Sequence, residues 1–340
     1  MHELLRELLA GEPAWVVGGA VRDELLGRPV LDVDVACGEP ERAARSLARR
    51  IGGAPFPLSE RHGAWRVVLA DGRTCDFTPL RGSIEDDLAT RDFTLNAIAV
   101  ALAGGGMVDP FRGRADLDAR TLRAVGPGVF RDDPLRLLRA VRLEDELGLR
   151  LDEETETLVR THADLVSRPA GERILGELVR LSAAGYRRLA ELGLLEPLGG
   201  SLERLTERVG EPGFRLVSVF GERLLRLPVS NELRRYARCL LRARPPEGAS
   251  ARAIHRFRRQ AEPWALEALA YLGEEERFGD AVRAARAADP AEPLLRGDEL
   301  GLPPGPEIGR LLELVAEERA AGTISTREDA LELVRREAGA

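Results

Sequence analysis

Apolar positions fall in short runs and alternations over the first hundred residues, then every third or fourth place from about residue 115 onward. Trp15-Val16-Val17 reads as a short buried strand, Gly18-Gly19 as a tight turn, and Ala20 to Leu26 as a helix stopped at Gly27. Leu31, Val33 and Val35 alternate with Asp32 and Asp34, the two-residue period of a strand. Residues 41–51 predict a helix. Trp65–Ala70 and Thr74–Phe77 predict two strands joined by Asp71-Gly72, a hairpin turn. Leu95–Leu102 predicts helix running into strand. Pro134 opens a helix that the preceding aspartates can cap, and Gly148 ends it. Further helices are expected at about 152–166, 171–184 and 185–193, then several more to 337, with breaks at Pro212, Pro245-Pro246 and Leu302-Pro303-Pro304. The Pro- and Gly-rich stretch at 287–306 predicts a loop, and no internal repeat is visible. The pattern is an α/β head followed by a long α-helical body, and 340 residues suit about two domains.

Composition narrows the function. A hydrophobic fraction of 44% fills an ordinary core. No run approaches the ~18 apolar residues of a membrane span, and the acidic residues in MHELLRELLAGEP leave no secretory signal, so the expectation is a cytoplasmic protein. Cys37, Cys75 and Cys239 stand far apart, so neither a disulfide framework nor a zinc site is expected. Four His and no His-Asp dipeptide argue against a histidine-rich metal hydrolase. The net charge of −7 conceals an uneven distribution: between Arg223 and Arg259 eleven Arg face only Glu232 and Glu247, about +9 in a chain otherwise near −16. Such a block, with Arg234, Arg235, Arg238, Arg256, Arg258 and Arg259 at its centre, is a candidate phosphate-binding face; the plain alternative is a solvated helical surface.

On a strand, Asp32 and Asp34 emerge on one face about 6.6 Å apart while Val33 and Val35 anchor the other. Two hard oxygen ligands at that spacing can hold paired Mg²⁺ ions; taken alone, the pair fits a half-exposed strand with two surface aspartates better. The segment before them changes the balance. Gly18-Gly19-Ala20-Val21-Arg22-Asp23 sets a glycine turn at a helix start, where backbone N–H groups and Arg22 can receive a triphosphate. A phosphate anchor followed by a carboxylate pair suits phosphoryl or nucleotidyl transfer.

GGAVRDELLG followed by LDVD resembles the signature of class II tRNA nucleotidyltransferases and bacterial poly(A) polymerases, within the polymerase-β-like superfamily. RDFTLNA (Arg91–Ala97), DDPLRLLRAVR (Asp132–Arg142), Asp109-Pro110-Phe111 and Gly113 are similar to further motifs of that family in the same order, so the resemblance covers roughly residues 15–195. It implies an α+β fold: a polymerase-β-like head with a mixed sheet (1–120), a helical neck that recognises the base (121–195), and an elongated helical body and tail that binds tRNA (196–340). It implies Mg²⁺ at Asp32 and Asp34, nucleotide triphosphate at Gly18, Gly19 and Arg22, and the sugar-phosphate side of the nucleotide at Arg91 with Asp92 near the ribose. Asp133 and Arg136 would select the base, and Arg139 and Arg142 would complete the nucleotide site. Asp76, flanked by Cys75 and Phe77, is the candidate for the third carboxylate that the superfamily often carries; it is equally readable as a surface strand residue.

Base selection also has a physical logic. Asp133 and Arg136, three residues apart, share a helix face. An aspartate accepts hydrogen bonds and an arginine donates them. Cytosine and adenine both offer an exocyclic amine beside a ring acceptor, whereas uracil and guanine set a carbonyl against the carboxylate. The implied activity is template-independent addition from CTP, and ATP in complete enzymes, to the 3′ end of tRNA, with no protein partner.

Departures from the family pattern are informative. Asp132 stands for a glutamate, Leu143 for a phenylalanine, and Ala89-Thr90 where basic residues are usual. Only about a dozen residues separate Phe77 from Arg91, where full CCA-adding relatives have a longer flexible loop, so the resemblance leans toward CC-adding enzymes. No HD phosphohydrolase domain of the kind some relatives append is found. Two alternatives stand beside this reading: a poly(A) polymerase of the same family, and a non-catalytic RNA-binding protein that retains the head fold. An antibiotic-modifying nucleotidyltransferase would need neither the long helical body nor the Arg-rich block.

Overall fold

The structure, a computed structural model, describes residues 2–59, 62–104, 106–207 and 210–338. It divides into two compact units, Met1–Leu198 and Gly199–Ala340.

The first unit opens with α1 (His2–Leu8), β1 (Ala14–Val17), α2 (Gly19–Leu25), β2 (Asp32–Cys37), α3 (Pro40–Ile51), β3 (Ala54–Ser59), β4 (Ala64–Val68) and β5 (Thr74–Pro79). It continues through α4 (Ile84–Ala89), β6 (Ala99–Ala101), β7 (Met107–Val108), α5 (Gly113–Asp118), β8 (Thr121–Leu122), α6 (Val129–Asp132), α7 (Leu135–Leu147), β9 (Arg150–Leu151), α8 (Glu153–Thr161), α9 (Gly171–Leu178), α10 (Ala183–Glu191) and α11 (Leu195–Leu198). Among the described residues seven strands form one mixed sheet in the order β3-β4-β5-β2-β1-β6-β7, and β8 pairs with β9. The fold is α+β, as expected. β2 lies in the interior, antiparallel to β1 and parallel to β5, so its aspartates are presented from a strand fixed on both sides.

The alternation expected for β2 is observed: Val33 and Val35 are buried, and Asp32 and Asp34 share the opposite face. On the aspartate side, Val17, Ala36 and Ala99 of the sheet pack with Ile84 and Leu88 of α4 and with Ala97. The hairpin at Asp71-Gly72 forms, with Gly72 at φ 84°. Two features differ from expectation. β3 was not anticipated because Pro55 and Pro57 interrupt its sequence; it is tolerated as the outermost strand, where proline breaks no ladder on the free side. The helices expected at 171–184 and 185–193 are instead α9 and α10, because Ser182 caps α10 on Gly185 N–H at 3.3 Å and is itself held by Asp145 of α7 at 2.6 and 2.7 Å.

In the second unit, α12 (Pro212–Phe220), α13 (Asn231–Arg242), α14 (Ala251–Ala261), α15 (Ala265–Leu272), α16 (Glu275–Ala287), α17 (Pro306–Ala320) and α18 (Arg327–Ala338) follow in chain order. Ile254, Phe257, Leu269, Phe278 and Val282 belong to one core, and Leu295, Leu311, Val315, Ala330 and Leu333 to another. Residues 288–305 form the expected loop, with one 3₁₀ turn at Gly297–Leu300. No helix of the described residues is long and apolar enough to cross a membrane.

Gly113 shows why one resemblance position must be glycine. Asp109 accepts its N–H at 2.7 Å and that of Arg114 at 3.0 Å, seating the start of α5 against the backbone of Thr94. A Cβ at Gly113 would overlap the Thr94 carbonyl, whereas one at Gly126 would meet nothing within 4 Å. Gly113→Ala is therefore expected to destabilise the protein by about 2 kcal/mol through forced backbone movement. Thermal melts beside Gly126→Ala check this; equal melting temperatures would refute it.

Candidate active site

Across the sheet, Asp34 on β2 stands opposite Asp76 on β5, and Asp76 opposite Arg66 on β4. Arg66 donates to both oxygens of Asp76, Nε and Nη2 each at 2.7 Å. Thr74 Oγ donates to Asp32 Oδ1 at 2.7 Å. Burial pushes the Asp34 carboxyl up to about 6, with Arg91 pulling it down and the neighbouring Asp76 and Asp32 charges pushing it further up. Two carboxylates on one face, one of them desolvated, form a pair whose ionised state a divalent cation would stabilise. No group of three or more His, Cys, Asp or Glu able to hold a metal occurs among the described residues. The chain thus offers a two-carboxylate site, the arrangement suited to Mg²⁺ that also takes phosphate oxygens and water. Asp76 stands beside the pair, engaged by Arg66.

The glycine turn lies against this pair. Gly18 begins α2 at φ 73° and ψ −134°, a conformation that favours glycine. A side chain there would also collide: a Cβ on Gly18 would sit 2.7 Å from Arg91 Nη1 and 3.6 Å from Asp34 Oδ2. The turn, the Arg91 guanidinium and the Asp34 carboxylate therefore converge on one point. Gly18 N–H donates to the Ile98 carbonyl at 3.3 Å and is thereby already engaged within the fold. Arg91 is tethered by Asp87 at 3.2 Å, and its buried Nε has no hydrogen-bond partner among the described residues. Arg22 is turned inward: Nε and Nη2 bind Asp23 at 3.0 and 2.9 Å, and Nη1 donates to Asn96 at 2.7 Å.

Asn96 leads to the interior of the site. Asp92, 5% exposed, accepts from Phe93 N–H at 2.8 Å, Asn96 Nδ2 at 2.9 Å and Arg139 Nη1 at 3.0 Å. Those donors and the Arg139 charge hold its carboxyl below the usual range despite the desolvation that opposes them. Arg139 continues to Glu177 at 3.4 Å; Arg142, also buried, binds Glu177 at 2.5 Å and Glu146 at 2.7 Å. The structure thus places Asp92, Arg139 and Arg142 within one chain of ion pairs linked through Glu177.

The candidate base-reading pair does not share a helix face as expected: Asp133 is extended between α6 and α7, at φ −144° and ψ 99°, and Arg136 lies in the first turn of α7. Asp133 accepts Leu135 N–H at 3.2 Å, and Arg173 Nη2 at 2.7 Å. Arg136 donates to the carbonyl of Thr90 at 2.7 Å and that of Val129 at 3.4 Å. Thr90 immediately precedes Arg91, so Arg136 is tethered one residue from the guanidinium over the glycine turn. Arg66, Asn96, Arg173 and Glu177 were missed in the sequence. Asn96 lies inside a quoted motif; the others become visible only as partners of residues already singled out.

The Arg-rich block of the second unit resolves into two parts. Arg256 pairs with Glu317 at 2.6 Å, Arg258 with Glu262 at 2.9 Å and with Asp289, and Arg259 with Glu313 at 2.7 Å. Arg234 turns to the Leu225 carbonyl at 3.3 Å. Arg235, Arg238 and Arg242 are exposed on one face of α13, with no ion pair among the described residues.

The chain is similar to known proteins in sequence and in fold. The family described as the Poly A polymerase head domain matches residues 14–83 and 67–123. A CC-adding tRNA nucleotidyltransferase of Geobacter sulfurreducens is 48% identical over 50% of this chain and 40% of its own length. An A-adding tRNA nucleotidyltransferase of Deinococcus radiodurans is 34% identical over 95% of both proteins. A Thermotoga maritima CCA-adding enzyme, solved in complex with tRNA, superposes with a TM-score of 0.75 at 26% identity, over 98% of this chain and 95% of that one.

The burial of Asp34 has a measurable consequence. Its folded value near 6 lies above the ordinary 3.8, so the folded chain holds the proton more tightly than the unfolded chain. Stability from this group is full below about pH 4 and is lost as pH rises through 6, a difference of about 3 kcal/mol. In chelator, Asp34→Asn is expected to melt higher than the parent at pH 8 and level with it near pH 4. Added Mg²⁺ should raise the parent's melting temperature at pH 8 and leave Asp34→Asn unmoved. Parallel melting curves at both pH values would sink the assignment.

Proposed function

This chain belongs to the tRNA nucleotidyltransferase family, and we propose that it adds nucleotides from CTP, and ATP where its substrate range extends that far, to the 3′ end of tRNA without a nucleic-acid template. The observation that carries this reading is the convergence of Gly18, Arg91 and Asp34 on one point of the head. The relatives' names support the substrate class. The 3′-hydroxyl oxygen attacks the α-phosphorus, the bond to the β-phosphate oxygen breaks, and diphosphate leaves. Asp32 and Asp34 would hold Mg²⁺, which when bound supplies charge that acidifies the hydroxyl and neutralises the departing diphosphate. Gly19 N–H and Arg91 would orient the triphosphate, and Asp133 with Arg136 would read the amine and ring acceptor of the base. Retention of every one of these groups disfavours a binding-only role.

Within the family, the short connection from β5 favours CC addition. β5 ends at Pro79, and Ser83 already caps α4 through a reciprocal box with Asp86, at 3.0 and 3.1 Å. No long loop intervenes before Arg91. tRNAs lacking the terminal triplet, or carrying its first one or two nucleotides, incubated with CTP and ATP separately and together, are expected to gain two, one and no cytidines respectively and to stop there. Addition of the terminal adenosine would overturn the CC assignment. In the same assay Asp32→Ala and Asp34→Ala should each lower the rate by about 10³-fold or more while tRNA binding persists; parental rates would overturn the metal assignment.

tRNA contact is assigned to the exposed face of α13. Replacing Arg235, Arg238 and Arg242 together by Ala should weaken tRNA binding and reduce the slope of log K against log salt by about 2. Replacing Arg256 and Arg259, whose charges are matched by Glu317 and Glu313, should change that slope less. An unchanged slope in the α13 variant would remove this face from the RNA interface.

A further inference from the structure

Both members of the base-reading pair are held from outside α7, and by different elements. Arg136 is tied to Thr90 at the end of α4, whereas Asp133 is tied to Arg173 in the first turn of α9. Four residues further along the same face of α9, Glu177 takes both Arg139 and Arg142. A single helix thus grips both the aspartate ahead of α7 and the basic ridge of α7.

We propose that Arg173 is a specificity-determining positioning residue, fixing the plane of the Asp133 carboxylate so that it receives the exocyclic amine of cytosine or adenine and opposes the carbonyl of uracil. The inference rests on the reading of Asp133 as a base selector. Each oxygen of Asp133 has one protein donor, Leu135 N–H on Oδ1 at 3.2 Å and Arg173 Nη2 on Oδ2 at 2.7 Å. A carboxylate held at both oxygens does not rotate about its Cβ–Cγ bond, and each oxygen still has an accepting site for a base. With Arg173 absent, only the longer backbone contact remains. The carboxylate then turns aside from a uracil carbonyl, or admits a water between them, and the repulsion that rejects UTP is lost.

Arg173 is suited to this task and to little else. Its side chain is 49% exposed, and Asp133 is its sole side-chain hydrogen-bond or ion-pair partner among the described residues. An exposed pair of this kind contributes little to stability, so its placement on the base reader is the feature that calls for explanation.

The test is single-nucleotide incorporation on tRNA lacking its terminal triplet, comparing kcat/KM for CTP and UTP. Asp133→Ala, Arg173→Ala, Arg173→Lys and the Asp133→Ala/Arg173→Ala double variant are measured beside the parent, with thermal melts of each. Arg173→Ala is expected to lower the CTP-to-UTP ratio by about tenfold with an unchanged melting temperature. Arg173→Lys should recover most of that ratio, and the double variant should discriminate no worse than Asp133→Ala alone. If Asp133→Ala relaxes discrimination and Arg173→Ala keeps the parental ratio, Arg173 has no such role although the base-reading assignment stands. A drop in CTP and UTP rates by the same factor in Arg173→Ala also overturns the proposal. Parental discrimination in Asp133→Ala removes the base-reading assignment itself, and this inference with it.

Discussion

The site depends on one buried charge. Asp92 has almost no contact with solvent, and its oxygens are shared among a backbone N–H, an asparagine and an arginine. A carboxylate in that position is tolerable only when every donor is present, because removing one leaves the others around an uncompensated charge. Through Asn96 it sets Arg22 beside the glycine turn, and through Arg139 it binds the head's central motif to α7. The triphosphate end and the base end of the proposed nucleotide site are therefore fixed to the same anion, and neither shifts without disturbing the other.

Charge is handled by opposite means at the front and the back of that anion. Behind it, Arg139, Glu177, Arg142 and Glu146 alternate in sign, and each is matched by its neighbours. In front, Asp34 is desolvated and lies near Asp76 and Asp32, so like charges accumulate and its proton is retained to about pH 6. Perturbation of this kind accompanies sites that await a cation or a substrate. The second unit repeats the contrast: α14 arginines are matched by α17 glutamates, while α13 leaves three exposed on one face.

Much of this was legible in the chain because it is encoded locally. Alternation set Asp32 and Asp34 on one face, the glycine pair marked the turn, and Asp71-Gly72 marked the hairpin. What could not be read depends on partners distant in sequence. Arg173 reaches Asp133 across 40 residues, Glu177 reaches Arg142 across 35, and Arg22 reaches Asn96 across 74. β3 was hidden because proline statistics describe strand interiors, and this strand is outermost. The break before α10 was missed because Ser182 is held by Asp145, a residue 37 positions away. Arg256, Arg258 and Arg259 counted as free charge in the sequence, since the glutamates that match two of them lie more than fifty residues further on.

Thr90 and Arg91 are consecutive, and one grips the base reader while the other stands over the glycine turn. The two ends of the proposed nucleotide site are thereby gauged by a single peptide unit, about 3.8 Å between α-carbons and incapable of stretching. On the proposed reading such a gauge has no slack: a displacement of the group that meets the base is passed undiminished to the guanidinium over the glycine turn.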